Sequence, residues 1–115
     1  MAEVQPPSVD REIEWELAPG FRESWRRYLQ QNPEIRVAMT EFDRCKRSVP
    51  PLQLPGKMKE HKLDGPLKGF YDCHLANDVI LLYKPKVNGG IKLFRVCEHA
   101  ALKGPKAKAL VAKLK

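Results

Sequence analysis

FYDCHLANDVILLYK, residues 70–84, decides the fold. Its first half alternates: Lys68, Phe70, Asp72 and His74 share one side of an extended chain, and Gly69, Tyr71, Cys73 and Leu75 the other. Its second half, VILLYK, is apolar on both sides, the pattern of a strand in the middle of a sheet. The AND between them is short enough for a tight connection. Downstream, VNGG at 87–90 predicts a hairpin with a type I′ turn, because Asn and Gly tolerate positive φ. IKLFRVC is its returning strand.

Upstream, KEHKLDG predicts a short extended piece closed at Asp64-Gly65, reached through the Pro-rich connection SVPPLQLPG. Before that the period changes. Phe21, Trp25, Tyr28 and Leu29 fall at i, i+4, i+7 and i+8, the stripe of an amphipathic helix. NPE then predicts a second helix, with Asn32 as its cap and Pro33 in its first turn. Ile35, Met39 and Phe42 mark its buried side. REIEWEL alternates again, Ile13, Trp15 and Leu17 against Glu12, Glu14 and Glu16. Trp15 and Trp25 read as core aromatics. EHAALKG predicts one helical turn ending at Gly104, and PKAKALVAKLK, with four lysines and no acid, fits either a docked helix or a frayed tail. The expected architecture is α+β: a small antiparallel sheet with two N-terminal helices packed on one face. Residues 1–9 read as a loose lead-in, 10–104 as the domain, and 105–115 as a basic extension.

The 115 residues suit one domain, and 43% hydrophobic with 30% charged residues is an ordinary folded composition. No apolar run approaches the roughly 18–20 residues of a membrane span, and the N-terminus lacks a secretory pattern. A cytoplasmic protein with no membrane association is expected. Cys45, Cys73 and Cys97 are odd in number and lack CxxC spacing, so reduced thiols are expected rather than disulfides or a zinc site. The formal net charge of +7 points to a polyanionic partner: nucleic acid, an acidic protein or anionic lipid.

The polar residues suggest chemistry. All three histidines, His61, His74 and His99, fall in or beside the expected sheet. If the strands pair in sequence, Asp72, His74, Asp78, Arg95 and His99 converge on one edge or face. Imidazole and carboxylate groups can serve as general base and acid for RNA cleavage: one takes the 2′-hydroxyl proton, the other protonates the 5′-oxygen. A guanidinium can stabilise the phosphorane. Each residue also has a plain structural reading. Asp72 and Asp78 can bracket a turn, His61 and His74 can lie on solvated surface, His99 can cap the terminal turn, and Arg95 can pair with Glu98. The His, Cys and Asp spacings match no standard metal-ligand pattern, and no cofactor is expected.

HKLDGPLKGFYDCHLANDVILLYK followed by LFRVCEHAALKG resembles the YafQ branch of the RelE/ParE toxin superfamily. The shared pattern is His-x-Leu-x-Gly, Gly-aromatic-x-Asp-x-His, an Asp opening an apolar strand, then Arg and HAAL. It covers about residues 57–104. The resemblance implies a RelE-like fold and a ribosome-dependent messenger-RNA endonuclease acting on message in the A site of the 70S ribosome. It also implies neutralisation by a cognate antitoxin, with the toxin–antitoxin complex binding operator DNA. By resemblance His61, Asp72, His74, Asp78 and His99 are active-site residues. Base and acid fall among His61, Asp78 and His99, while Asp72 and His74 orient neighbours or hold substrate. Arg95, Lys103 and Lys68 are the implied RNA contacts. Lys103 stands where relatives carry an aromatic, Val79 stands where the branch can have Trp, and the chain runs on past Gly104. Two other readings stay open: a non-catalytic toxin-like binding module, and a ParE-like gyrase poison.

Overall fold

Val79–Pro85 forms the centre of a five-stranded sheet, and the rest of the chain is arranged to cover its two faces. The structure, a computed structural model, describes residues 9–10 and 12–114. The lead-in expected over 1–9 lies outside the described residues except for Val9. That residue belongs to β1 (Val9–Asp10), antiparallel to β3 (Ser48–Val49).

The main sheet contains β2 (Trp15–Leu17), β4 (His61–Lys62), β5 (Tyr71–Ala76), β6 (Val79–Pro85) and β7 (Ile91–Cys97). Their order is β2-β7-β6-β5-β4. The four later strands pair antiparallel with their sequence neighbours, as the alternation and turns predict. The first differs: β2 pairs parallel with β7, from Trp15 against Ile91 to Leu17 against Leu93. The chain re-enters this sheet from the helices at β4, and three antiparallel steps from β4 to β7 bring β7 parallel to β2, which a local reading of REIEWEL does not show. Its alternation holds in part, for Leu17, expected on the inward side with Ile13 and Trp15, is 37% exposed. Ile13 and Trp15 join the core, while Glu14 and Glu16 meet Lys86 and Lys92 across the edge.

Helices α1 (Phe21–Gln31) and α2 (Ile35–Arg47) lie on one face, as expected. Phe21, Ile35, Phe42 and Cys45 pack there against Cys73, Leu81, Tyr83, Leu93 and Val96. Phe42 and Tyr83 meet edge to face with ring centroids 5.0 Å apart, a favoured aromatic geometry. Asn32 does not cap α2. Its amide donates to the Tyr28 carbonyl at 3.1 Å and closes α1 instead, and α2 starts after the turn at Pro33 and Glu34. A carbonyl left over at a helix end needs a donor, and Asn32 supplies it.

The basic extension is a helix, α3 (Gly104–Lys113), docked on the opposite face. Ala107, Leu110 and Leu114 pack there with Leu67, Phe70, Leu82 and Phe94. The β6–β7 hairpin also departs from expectation. Lys86 N donates to the Gly90 carbonyl and Gly89 N to the Lys86 carbonyl, so the loop has three residues. Gly89 alone in it has positive φ, whereas a type I′ turn needs two such residues.

Candidate active site

Period-two geometry places Asp72 and His74 of β5 on the sheet face opposite α1 and α2. The register extends that face: Asp72 opposes His61 on β4 and Leu82 on β6, and His74 opposes Ile80, which opposes Cys97. His99 follows β7 in a single 3₁₀ turn, His99–Leu102. The His74 and His99 rings approach edge to face, with centroids 5.5 Å apart.

Asp72 lies beneath this group. It is 1% exposed, yet its face of the sheet carries no other buried acid among the described residues. His61 Nδ1 is 2.9 Å from Asp72 Oδ1, close enough for an ion pair. The aligned contact of that nitrogen is instead the Lys59 carbonyl at 3.0 Å, so Oδ1 is buried without a hydrogen-bond donor. Distance therefore gives Coulombic attraction here, while direction withholds the hydrogen bond. Burial raises the Asp72 pKa above the usual carboxylate value, and His61, His74 and His99 pull the other way. His74 is pushed down, chiefly by burial and also by His99, although Asp72 opposes this. A depressed imidazole is neutral near pH 7 and can accept a proton.

Asp78 occupies the β5–β6 turn with φ of 57°, in the left-handed region that Asp tolerates better than most residues. From there Oδ1 accepts a hydrogen bond from the His99 backbone N–H at 2.9 Å. Two turns distant in sequence are thereby tied, and His99 is held beside His74. The five expected site residues, His61, Asp72, His74, Asp78 and His99, thus lie together at one end of the sheet.

The three expected RNA contacts do not join that cluster. Arg95 opposes Leu82 on the same face, but its guanidinium runs to the start of α1. A Cβ on Gly20 would sit 2.9 Å from Arg95 Nη2, which the end of the flexible side chain can yield to; it is the φ of 89° that favours glycine there. No ion pair of Arg95 with Glu98 or another acid occurs among the described residues. Lys68 and Lys103 are exposed, Lys68 after the Gly65–Leu67 turn and Lys103 at the start of α3. The cations missed by sequence reasoning are Arg27, Lys106 and Lys113, which share a cleft with Arg95. The spacing of Lys106 and Lys113, two helical turns apart, was the available signal.

The thiols are kept protonated and unreactive by burial rather than by distance. Cys45, Cys73 and Cys97 are free and buried, and burial raises the pKa of each. Among the described residues no helix is long and apolar enough to cross a membrane.

With this geometry in view, comparison with known proteins is informative. A family profile described as the bacterial toxin of type II toxin–antitoxin system, YafQ, matches residues 13–104. The mRNA interferase toxin YafQ of Escherichia coli strain K12 is 42% identical over 53 residues, which are 46% of this chain and 56% of that protein. The match thus spans little more than half of that relative's length. The E. coli DinJ–YafQ complex contains a chain that superimposes with a TM-score of 0.62 at 26% identity, covering 81% of this chain and all of that one. The Staphylococcus aureus YoeB–YefM complex shares the fold with a TM-score of 0.58 at 21% identity, over 76% of this chain and 98% of its counterpart. The chain belongs to the YafQ family of bacterial toxins of type II toxin–antitoxin systems.

Proposed function

We propose that this protein is an endoribonuclease toxin that cuts messenger RNA on the ribosome by metal-independent general acid–base chemistry. The observation that carries the reading is the convergence of three imidazoles over one buried carboxylate. Their E. coli relative is named an mRNA interferase toxin.

In this reading one group takes the proton from a 2′-hydroxyl as its oxygen attacks the adjacent phosphorus, and another protonates the departing 5′-oxygen. Resemblance draws base and acid from His61, Asp78 and His99. The geometry favours the histidines, because Asp78 Oδ1 is engaged with the His99 backbone. Asp78 is then a positioning residue. Asp72 supplies the negative potential that steadies a protonated imidazole, and His74, neutral at working pH, hydrogen-bonds substrate. Lys68, Arg95 and Lys103 hold the RNA backbone, contacts that give affinity without sequence preference.

A YafQ relative crystallised with DinJ supports a cognate antitoxin for this chain as well, acting in the cytoplasm. The toxin–antitoxin pair would bind its own operator DNA. The test is primer extension on a message expressed with this protein, with and without its start codon. Cleavage of the translated message only, lost on His99→Gln with melting unchanged, is the expected result. A wild-type protein that cuts no message in cells would overturn the reading.

A further inference from the structure

β2 ends at Leu17 against Leu93, so residues 95–97 of β7 extend past it as an open sheet edge. The Ser24 hydroxyl accepts the Val96 N–H there at 2.9 Å, and a cleft of about 630 Å³ opens between α1 and α3. Four cations line it: Arg27 from α1, Arg95 from β7, and Lys106 and Lys113 from α3. Glu23 is the one acid in the lining. None of the four cations has an ion-pair partner among the described residues. Arg95 Nε is fully buried and has no hydrogen-bond partner among them. Buried donors in native structures are normally paired; this Nε is closed to solvent, so an anion in the cleft is met by the Nη groups of Arg95, which lines it.

We propose that this cleft is a subsite for the phosphodiester backbone of single-stranded RNA, with half of its cations supplied by α3. The family profile ends at residue 104, so the helix that brings Lys106 and Lys113 lies beyond it except for Gly104. The cleft adjoins the histidine cluster through one structural unit. The 99–102 turn carries His99 toward His74, and its Ala101 lines the cleft. Arg95 and Asp72 lie on the same face, two strand spacings or about 10 Å apart in the ladder. Leu82 between them is buried under α3, so an RNA strand reaches both places around the 99–102 turn rather than across β6. The volume is nucleotide-sized rather than fitted to a bare phosphate. Net positive charge in a concave site concentrates a polyanion more strongly than the same lysines spread over a convex surface.

The inference rests on the nuclease reading for its substrate but is tested by binding. Fluorescence anisotropy of a short 2′-O-methyl RNA, which cannot be cut, is measured across a salt series. Lys106→Ala with Lys113→Ala is compared with wild type and with the double Lys→Arg variant. Both lysines are exposed, so the fold is retained, and thermal melting checks this. Loss of two phosphate contacts lowers the slope of log affinity against log salt by about 1.4, and weakens binding on the order of tenfold. The arginine pair restores both. An unchanged slope and affinity, or no RNA binding by wild type, overturns the subsite. So does a double variant that keeps its RNA affinity and loses only binding of a polyglutamate peptide, which makes the cleft a protein-docking site. His99→Gln keeps wild-type affinity and slope while losing cleavage. Failure of the nuclease reading is thereby separated from failure of the subsite.

Discussion

The two faces of the sheet solve different problems with the same strands. Beneath α1 and α2 every inward residue of β5 and β6 is apolar, aromatic or a thiol, and the aromatic rings of Phe42 and Tyr83 lock the layer. The opposite face is divided. Its half under α3 is apolar, with Leu82, Phe94 and Leu110, while its open end holds a buried carboxylate and three histidines. Alternation within a single strand serves both, since Cys73 faces one layer and Asp72 and His74 the other. Stability is concentrated where the chain can be apolar. The polar cluster occupies the place where it cannot, and Asp72 carries the cost of burial there.

Four substitutions would break or sharpen this contrast. Phe42→Ala should have the largest effect on the packed face, about 3–5 kcal/mol of unfolding free energy by denaturant titration. A loss under 1 kcal/mol would show that the helix layer is not the principal core. On the open end, His99→Gln should lower message cleavage by about 10²–10⁴-fold while shifting stability within about 0.5 kcal/mol. Equal loss of fold and activity would make His99 structural. Leu110→Ala should cost about 2 kcal/mol or more, because α3 is docked rather than appended. A melting curve matching wild type would show that α3 adds nothing to the core.

Asp72→Asn should have the smallest effect, and of opposite sign. The folded-state pKa of Asp72 is raised by burial, so its ionised form destabilises the native state at neutral pH. Removing the charge should therefore raise the melting temperature at pH 7. The difference should close as pH falls through the folded-state pKa toward the unfolded carboxylate value, where both states hold the proton. A variant less stable than wild type at pH 7 would mean that attraction to His61, His74 and His99 outweighs desolvation.

The outcome for each segment follows from the range of the forces that shape it. VILLYK reads as central because both its faces need burial, a requirement written into its own side chains. The Phe21–Leu29 stripe and the alternation of 70–76 are equally local. The five polar residues of the cluster stand out as a motif, and strand order brings them together. Arg95 is legible too, but its guanidinium lies against Gly20, which is 75 positions away and has no side chain to announce the contact. Asn32 has cap chemistry for either helix, and geometry at Tyr28 decides which one.

By itself, then, the sequence determined the period of each element, the central strand and the identity of the polar cluster, because these depend on neighbours within a few residues. Only the tertiary structure decided that β2 joins in parallel, that α3 covers the second face, and that Arg27, Arg95, Lys106 and Lys113 meet in one cleft. Those arrangements come from surfaces distant along the chain burying one another, and no local spacing encodes which surface will be met.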